Sequence, residues 1–358
     1  MRAAFQINTV YQLFITINMK LHNIPDGPTD IIVSDHTPAL KTYVENLKKC
    51  GLFEKVFYVR SLEFNSFFWG LPNEAKPDAF RRCHESLKRV SSEPHIDYGT
   101  YDRLYTANLD AYTKFIHKEY PKMEICQIED GAAICAVDWQ TITKRWNYIE
   151  DFNKIYCDVK ELYLYSPDLM GFQYPAPMIK LPGIERAPEV VQLFNMVFHY
   201  QPIEFPRFVF IEQSYQADKI KNNDLAFLQS AFDIVGYENL YIKPHPRNTI
   251  HRPFSYGLSK KMDDSIPFEL MVLNNQYSSR GDLVYMTVDS GALISARMIF
   301  EDNRKMIFLY KAISGPTRAH GGKEFSEYMD RFIEKYADEN LFAPGSLEEY
   351  RCILTHLL

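Results

Sequence analysis

The sequence predicts two consecutive α/β domains, each a parallel, doubly wound sheet. Three observations carry that class. The first half alternates strand-like and helix-like periodicity in short units, the signature of βαβ succession. A second alternating set fills the last third of the chain. Between them, residues 175–207, "PAPMIKLPGIERAPEVVQLFNMVFHYQPIEFPR", carry six prolines among less regular segments and read as a domain connection. At 358 residues the chain exceeds what one simple core supports. The expected domains are 1–190 and 191–358, with the last helix packing back on the first.

The elements follow in order. "AAFQINT" reads as a strand and "YQLFITINMKL" as a helix; "DIIVSD" is a strand, "TPALKTYVENLKKCG" an amphipathic helix stopped at Gly51, and "KVFYVR" a strand. "DRLYTAN" and "KMEICQIEDG" are strands flanking the helical "LDAYTKFIHKEYP". From Asp151 to Tyr174 the pattern is helix-like, then mixed. The second set runs strand "FVFIEQ", helix "NNDLAFLQSAFDIVG", strand "NLYIKPHP", strand "LVYMTVD", helix "SGALISARMIFE", strand "KMIFLY". "SLEEYRCILTHLL" closes the chain as a helix, with Ser346 as N-cap and Glu349 completing a capping box.

Composition narrows the function classes. A net charge of -6 excludes a general nucleic-acid binder, so any cationic site must be local. The six cysteines form no C-x-x-C pair and read as reduced core thiols, which points to a cytoplasmic protein. The N-terminal apolar stretch is broken by Gln6, Asn8, Gln12 and Asn18, so it reads as a strand and helix, not an export signal. No run of apolar residues is long enough to span a membrane. There is no D-x-D, no His pair within one turn and no Cys/His ligand set, so no metal site is expected. The G-x-G of a dinucleotide fingerprint or P-loop and the G-x-S-x-G elbow are absent as well.

Four polar clusters fall at predicted strand ends: Glu129-Asp130-Gly131, Glu212-Gln213-Ser214, Lys243 to Arg247, and Asp289-Ser290-Gly291. In open α/β sheets ligands bind at such ends. "YIKPHPRN" runs a buried strand into a turn in which two prolines stiffen the chain on both sides of His245, beside Lys243 and Arg247. A turn histidine among solvent-facing cations is the plain reading; an imidazole protonating a departing phosphate is the functional one. Ser290 caps the helix that begins at Gly291, and a helix start suits a phosphate. Asp130, followed by a glycine, is either an Asp-Gly turn or a general base. Glu269, in "SIPFEL", complements a helix dipole or holds a ribose.

In order and spacing these pieces resemble the bacterial sialyltransferases, most closely glycosyltransferase family 52, the lipooligosaccharide and capsule sialyltransferases. The resemblance rests on "IEDG", "FIEQ", "YIKPHPR", "IPFEL" and "SGALISA", with "YQLFITI" and "DRLYTAN" near the start, and spans most of the chain. It implies a GT-B fold, two Rossmann-like domains facing a central cleft. Residues 1–190 would bind the acceptor and residues 191–358 the nucleotide sugar. It implies CMP-sialic acid as co-substrate donor, no cofactor and no metal. Transfer would proceed with inversion to a terminal galactose of a bacterial surface glycan, in alpha-2,3 linkage.

By motif, Asp130 would deprotonate the acceptor and His245 would assist departure of the cytidylate phosphate. Ser290 and Gly291 would meet the phosphate and Glu269 the ribose. Gln213 and Ser214, with Lys243, Pro246 and Arg247, would enclose the donor. Similar enzymes place two adjacent hydroxyls at the phosphate; here Ser290 is followed by Gly291, and Thr287 is the nearest substitute. Glu129, Asp138, Asp218 and Asp224 are further candidates for the base.

Two other readings stand beside this one. The chain could use a different donor, either as a relative taking another nucleotide sugar or as a CDP-linked glycerophosphotransferase. The latter needs a second catalytic histidine, and His84, His95 and His117 lack a supporting motif. The non-enzyme reading is a glycan-assembly binding protein that keeps the GT-B shell. A homodimer is compatible with the resemblance. Peripheral contact with the inner face of the membrane fits such an enzyme, but basic pairs such as Lys144-Arg145 are too small a patch to carry it.

Overall fold

The fold is taken from a computed structural model that describes residues 1–136, 138–204, 206–248, 260–275, 282–300, 304–317 and 323–358. Contacts divide the chain into two units, Met1–Asp130 with Val137–Tyr200, and Gly131–Ala136 with Gln201–Leu358. Position 190, the expected end of the first domain, lies inside the helix Pro188–Phe198, which belongs to the first unit. Pro188 opens that helix where its missing N–H is no loss. Phe194 then packs on Phe14 and Phe198 on Tyr43, with ring centroids 4.7 and 5.0 Å apart.

The first unit holds strands β1 (Ala3–Ile7), β2 (Thr29–Ser34), β3 (Val56–Val59), β4 (Ser92–Glu93), β5 (Arg103–Thr106), β6 (Glu124–Ile128), β7 (Val159–Leu164) and β8 (Met178–Lys180). They lie in the order β4-β3-β2-β1-β5-β6-β7-β8, parallel except for the β3–β4 pair. Strand β1 is buried along its whole length, as a strand covered on both faces must be, which is why "AAFQI" shows no polar alternation beyond Gln6. The helix Val10–Leu21 follows, capped by Thr9, whose hydroxyl accepts from the Gln12 N–H at 3.2 Å. Its Phe14 is fully buried, a contribution of about 1.5–3 kcal/mol.

The stretch expected to be helix-like from Asp151 differs. Only Ile155–Asp158 is α-helical, with a 3-10 turn at Pro167–Leu169, and Val159–Leu164 is strand β7 between β6 and β8. Its burial runs one buried, two more exposed, three buried, a pattern with neither period, so pairing on both edges decides its state.

The second unit holds β9 (Phe208–Ile211), β10 (Leu240–Lys243), β11 (Lys260–Lys261), β12 (Val284–Thr287), β13 (Lys305–Phe308) and β14 (Leu341–Phe342). Among the described residues they form a parallel sheet in the order β11-β10-β9-β12-β13-β14. Phe208, Phe210, Ile242, Val284 and Met286 form its core with Phe227, Leu228 and Ala231 of the helix Asp224–Val235. The C-terminal helix Leu347–His356, expected against the first domain, places Tyr350 and Leu354 in this core. Its Ser346 accepts from the Glu349 N–H at 3.1 Å, while the Glu349 carboxylate takes the Gly345 N–H, one residue before the one a capping box would use. Glu301, the last residue of the expected helix "SGALISARMIFE", lies outside the described residues. Among the described residues no helix is long and apolar enough to cross a membrane. None of the six cysteines is in a disulfide.

Candidate functional site

Each sheet has one place where chain order reverses, and there the strand ends open to a ligand. In the first unit it lies between β1 and β5. Asn8 follows β1 and Asn108 follows β5, and the Asn8 Nδ2 donates to Asn108 Oδ1 at 3.3 Å. Gln12, fully buried in the first turn of its helix, ties the edge together. Its Oε1 accepts from the Asn8 N–H at 2.7 Å. Its Nε2 donates to Asn108 Oδ1 at 2.6 Å and to Asp130 Oδ1 at 2.8 Å. Asn108 Nδ2 adds a donor to Asp130 Oδ2 at 3.2 Å.

Glu129 and Asp130, adjacent after β6, separate by burial. Glu129 is 2% exposed; it accepts from the Tyr11 hydroxyl at 2.8 Å and the Tyr165 N–H at 2.9 Å. Burial pushes its pKa up. Asp130 is half-buried with both oxygens on amide donors, an orientation held without a cation. Gly131 adopts φ +71, and a Cβ there would meet nothing within 4 Å, so the backbone angle and not crowding calls for glycine. Asp138 caps the short helix Trp139–Thr143 through the Gln140 N–H at 2.9 Å.

Beside Asp130 the structure gathers residues that the sequence reading did not single out. Asp110 Oδ1 caps the helix Ala111–Glu119, accepting from the Thr113 N–H at 2.9 Å. Its Oδ2 accepts from Asn65 Nδ2 at 2.8 Å and lies 3.8 Å from His36 Nε2. His36 sits just past β2, with Nδ1 at 3.1 Å from the Ser34 hydroxyl. His84 and His117 pair instead with Glu119 and Asp158, at 2.8 and 2.9 Å. One signal for this edge was in the sequence: "TVYQ" is itself a cap signature, Thr9 with Gln12 three residues on.

In the second unit the reversal lies between β9 and β12. Gln213 Nε2 spans it, donating to Thr287 Oγ1 at 3.3 Å. Thr287 is fully buried. Its hydroxyl donates to Ile211 O at 3.0 Å and accepts from the Ser290 N–H at 3.2 Å. The strand residue three positions before Ser290 therefore does point to the helix start, but its hydroxyl is used within the fold. Ser290 Oγ accepts from the Ala292 N–H at 3.3 Å. A Cβ at Gly291, the first residue of the helix Gly291–Phe300, would meet nothing within 4 Å, while Ser290, Leu293 and Ile294 beside it are buried.

The turn after β10 splits its basic residues. Lys243 is buried, and its Nζ donates to Asp263 O at 2.5 Å. Burial pushes its pKa down to about 8, against the pull of Asp264, Asp263 and Glu269. His245 is half-buried and Pro246 exposed. The His245 Nδ1 accepts from the Arg247 N–H at 3.2 Å, which puts the proton of the neutral ring on Nε2. The Arg247 guanidinium pairs with Asp218 at 2.9 Å, and Asp218 also accepts from the Ser214 hydroxyl at 2.6 Å. Asn248 Nδ2 donates to Gln213 O at 2.8 Å, binding this turn to the end of β9. Gln213, Ser214, His245 and Arg247 are thus one assembly. Asp224 is buried in the first turn of its helix. Glu269, in the helix Phe268–Asn275, is buried and accepts from the Ser295 hydroxyl. Among the described residues no three His, Cys, Asp or Glu side chains group as metal ligands.

No family model and no curated protein matches the chain. Solved structures do match its fold. Phytolacca americana UGT2, complexed with UDP-2-fluoro-glucose and pterostilbene, superposes with a TM-score of 0.53 at 9% identity, over 99% of this chain and 89% of that one. The spinosyn rhamnosyltransferase SpnG gives 0.50 at 12% identity, over 99% and 90%. A UDP-N-acetylglucosamine 2-epimerase gives 0.50 at 9%, over 99% and 86%. The fold is the two-domain, Rossmann-like GT-B fold. An epimerase shares it with transferases, so the reaction has to be argued from the site.

Proposed function

We propose that the protein is an inverting glycosyltransferase that moves sialic acid from CMP-sialic acid to a galactose hydroxyl of a bacterial surface glycan, without a metal cofactor. The observation that supports this most is the contrast between two strand ends. After β6, Asp130 is a carboxylate oriented by neutral amides. After β10, His245 carries its proton on Nε2 beside Arg247. The first suits a base, the second a hydrogen-bond donor to a leaving phosphate.

In this reading the acceptor hydroxyl oxygen bonds to the anomeric carbon as the bond from that carbon to the phosphate oxygen breaks. The hydroxyl proton passes to Asp130, and the leaving electron pair stays on CMP. His245 Nε2–H keeps its proton and donates a hydrogen bond to the departing phosphate oxygen, stabilising the charge that develops there. Positive charge develops on the sugar and negative charge on the phosphate, so preorganised dipoles do most of the work. The helix start at Ser290 and Gly291, with space beside Gly291, supplies one such dipole. Arg247 supplies a charge. Its pair with Asp218 is half-exposed on the arginine side, a kind of bridge worth about 0–1 kcal/mol, so a phosphate can draw it away. Gln213, Ser214 and Pro246 enclose the donor, and Glu269 receives its ribose. Lys243 acts from behind, holding the Asp263 carbonyl.

The test is a thermal-shift panel with CMP, CDP, UMP, UDP and CMP-sialic acid, followed by transfer to lactose in the presence of a chelator. Stabilisation by CMP with sialyllactose formed is the expected result. Stabilisation by UDP or CDP alone moves the protein to another donor class, and no shift with any nucleotide removes the donor site.

A further inference from the structure

We propose that the helices between β3 and β4 dock the first unit on an anionic lipid surface, with Phe67, Arg82 and Arg89 as the contact residues. The proposal does not rest on the transfer reading above. The helix Ser61–Gly70 is apolar on more sides than the fold uses. Phe64 and Phe68 turn inward, with ring centroids 5.0 and 5.1 Å from that of Phe115. Phe67, beside Phe68, points out and is 37% exposed. A surface helix normally buries one apolar stripe and keeps its other face polar. Here Phe67 and Leu71, one turn further on, line a cavity of about 210 Å³. Sites that enclose a whole drug-sized ligand run from about 300 to 1,000 Å³. This one therefore takes a ring or a short alkyl segment, and neither a nucleotide sugar nor a disaccharide.

The rest of the lining carries charge, supplied by Asp78, Arg82, Glu85 and Arg89. Asp78 pairs with Arg82 and lies 3.5 Å from Arg81, while Glu85 lies 3.9 Å from Arg82. Arg89 follows Glu85 by four residues, the spacing at which such pairs form along a helix. The helix Cys83–Leu87 has ended by then, and the Arg89 guanidinium lies over the Phe67 ring, 4.9 Å from its centroid. Among the described residues no carboxylate pairs with it. Residues 78–89 hold four cations, Arg81, Arg82, Lys88 and Arg89, all exposed, against the two carboxylates Asp78 and Glu85. That is a local +2 on a chain of net charge -6. Charge and shape together select the occupant. A bare phosphate would leave Phe67 uncovered, and a plain alkyl chain would leave Arg89 without a partner. An anionic phospholipid answers both, with its phosphate on Arg82 and Arg89 and its glycerol and first acyl carbons over Phe67. Four clustered cations beside an exposed ring are the composition that holds a protein at an anionic membrane.

The test is co-sedimentation of the full chain with vesicles of phosphatidylcholine, with and without phosphatidylglycerol. Binding is expected only where phosphatidylglycerol is present, and it weakens at high salt. Arg82→Gln combined with Arg89→Gln should lower the partition coefficient about thirtyfold, the worth of two cations near an anionic surface. Phe67→Ala should lower it about tenfold through lost apolar contact. Lys144→Gln combined with Arg145→Gln removes the same charge from another exposed pair and should change it less than about threefold. All the altered side chains are exposed, so thermal melting of the variants should match the wild type. A second readout is stabilisation by octyl phosphate, expected to exceed that by inorganic phosphate and to vanish in Arg89→Gln. Equal binding to both vesicles, or to neither, overturns the inference. So does an equal loss in the Lys144 and Arg145 variant, which would make the effect one of bulk charge. Equal stabilisation by inorganic and octyl phosphate reduces the site to a bare anion site and overturns it too. A dimer in solution that Phe67→Ala dissolves would assign the face to a second copy of the chain instead. Each of these results is read without a sugar donor, so the transfer reading stands or falls separately.

Discussion

Gln12 Nε2 lies 2.8 Å from Asp130 Oδ1, across 118 positions of sequence. One buried amide thereby joins the ends of β1, β5 and β6, because it also holds Asn108 and the Asn8 N–H. Asp130 is aimed by that amide more than by its own turn. A carboxylate that has to meet one hydroxyl in line gains from being held still.

Gln12→Leu keeps the volume and removes the donor. The expected result is a kcat about tenfold lower at an unchanged donor KM. Stability falls by about 1–3 kcal/mol as the Asn8 N–H loses its acceptor. Asp130→Asn goes further, by about 10²–10⁴ in kcat, the range of a lost general base. Steady-state transfer to lactose measures both. A normal Asp130→Asn enzyme would send the search for the base to Asp218.

His245→Ala is expected to cut turnover about a hundredfold or more, with CMP still stabilising the fold. The ring is held by the Arg247 N–H on Nδ1, so His245→Asn, whose amide oxygen can take that N–H, tests the scaffold apart from the proton. Activity restored by asparagine would make His245 a structural turn residue.

Thr287→Val deletes a hydroxyl that serves three groups at once. Gln213 Nε2 and the Ser290 N–H lose their acceptor and Ile211 O its donor. Unpaired buried groups cost about 1–3 kcal/mol each, so chemical denaturation should show a loss of about that size or more. The donor KM should rise with it, because the start of the helix at Gly291 is no longer pinned. A variant as stable as the wild type would mean that water replaces the hydroxyl.

These positions show what could be read in the chain and what could not. Strand ends were legible because Val, Ile and Phe runs stop at polar residues, and that placed Asp130, Gln213, His245 and Ser290 correctly at carboxyl edges. The hub at Gln12 was not legible, because its meaning lies in partners 96 and 118 positions away, and locally it only interrupts an apolar helix. Strand β7 was missed because its neighbours, not its pattern, fix its state. Glu129 and Asp130 look alike in sequence; burial alone sets one beneath Tyr11 and leaves the other half-open. Lys243 was read with Arg247 as one cationic turn, yet one is buried and the other exposed.

That burial of Lys243 sets a pH dependence with a definite sign. Desolvation lowers its pKa to about 8 in the fold, against about 10.4 in an unfolded chain. Below about pH 8 both states hold the proton, and the cost of burying the charge is fully present. Between about 8 and 10.4 the unfolded chain binds more protons than the folded one, so this group makes stability rise with pH. The gain is complete above that window and amounts to about 3 kcal/mol at most. Lys243→Met removes the titration, so the stability difference between wild type and variant should shift in favour of the wild type as pH rises from 7 to 10. Lys114, also pushed down to about 8, is present in both proteins and cancels in that difference. Denaturation midpoints at several pH values measure it. Parallel curves would show that the Lys243 ammonium is already paired well enough to keep its ordinary pKa, and would return it to the set of cations free to meet a phosphate.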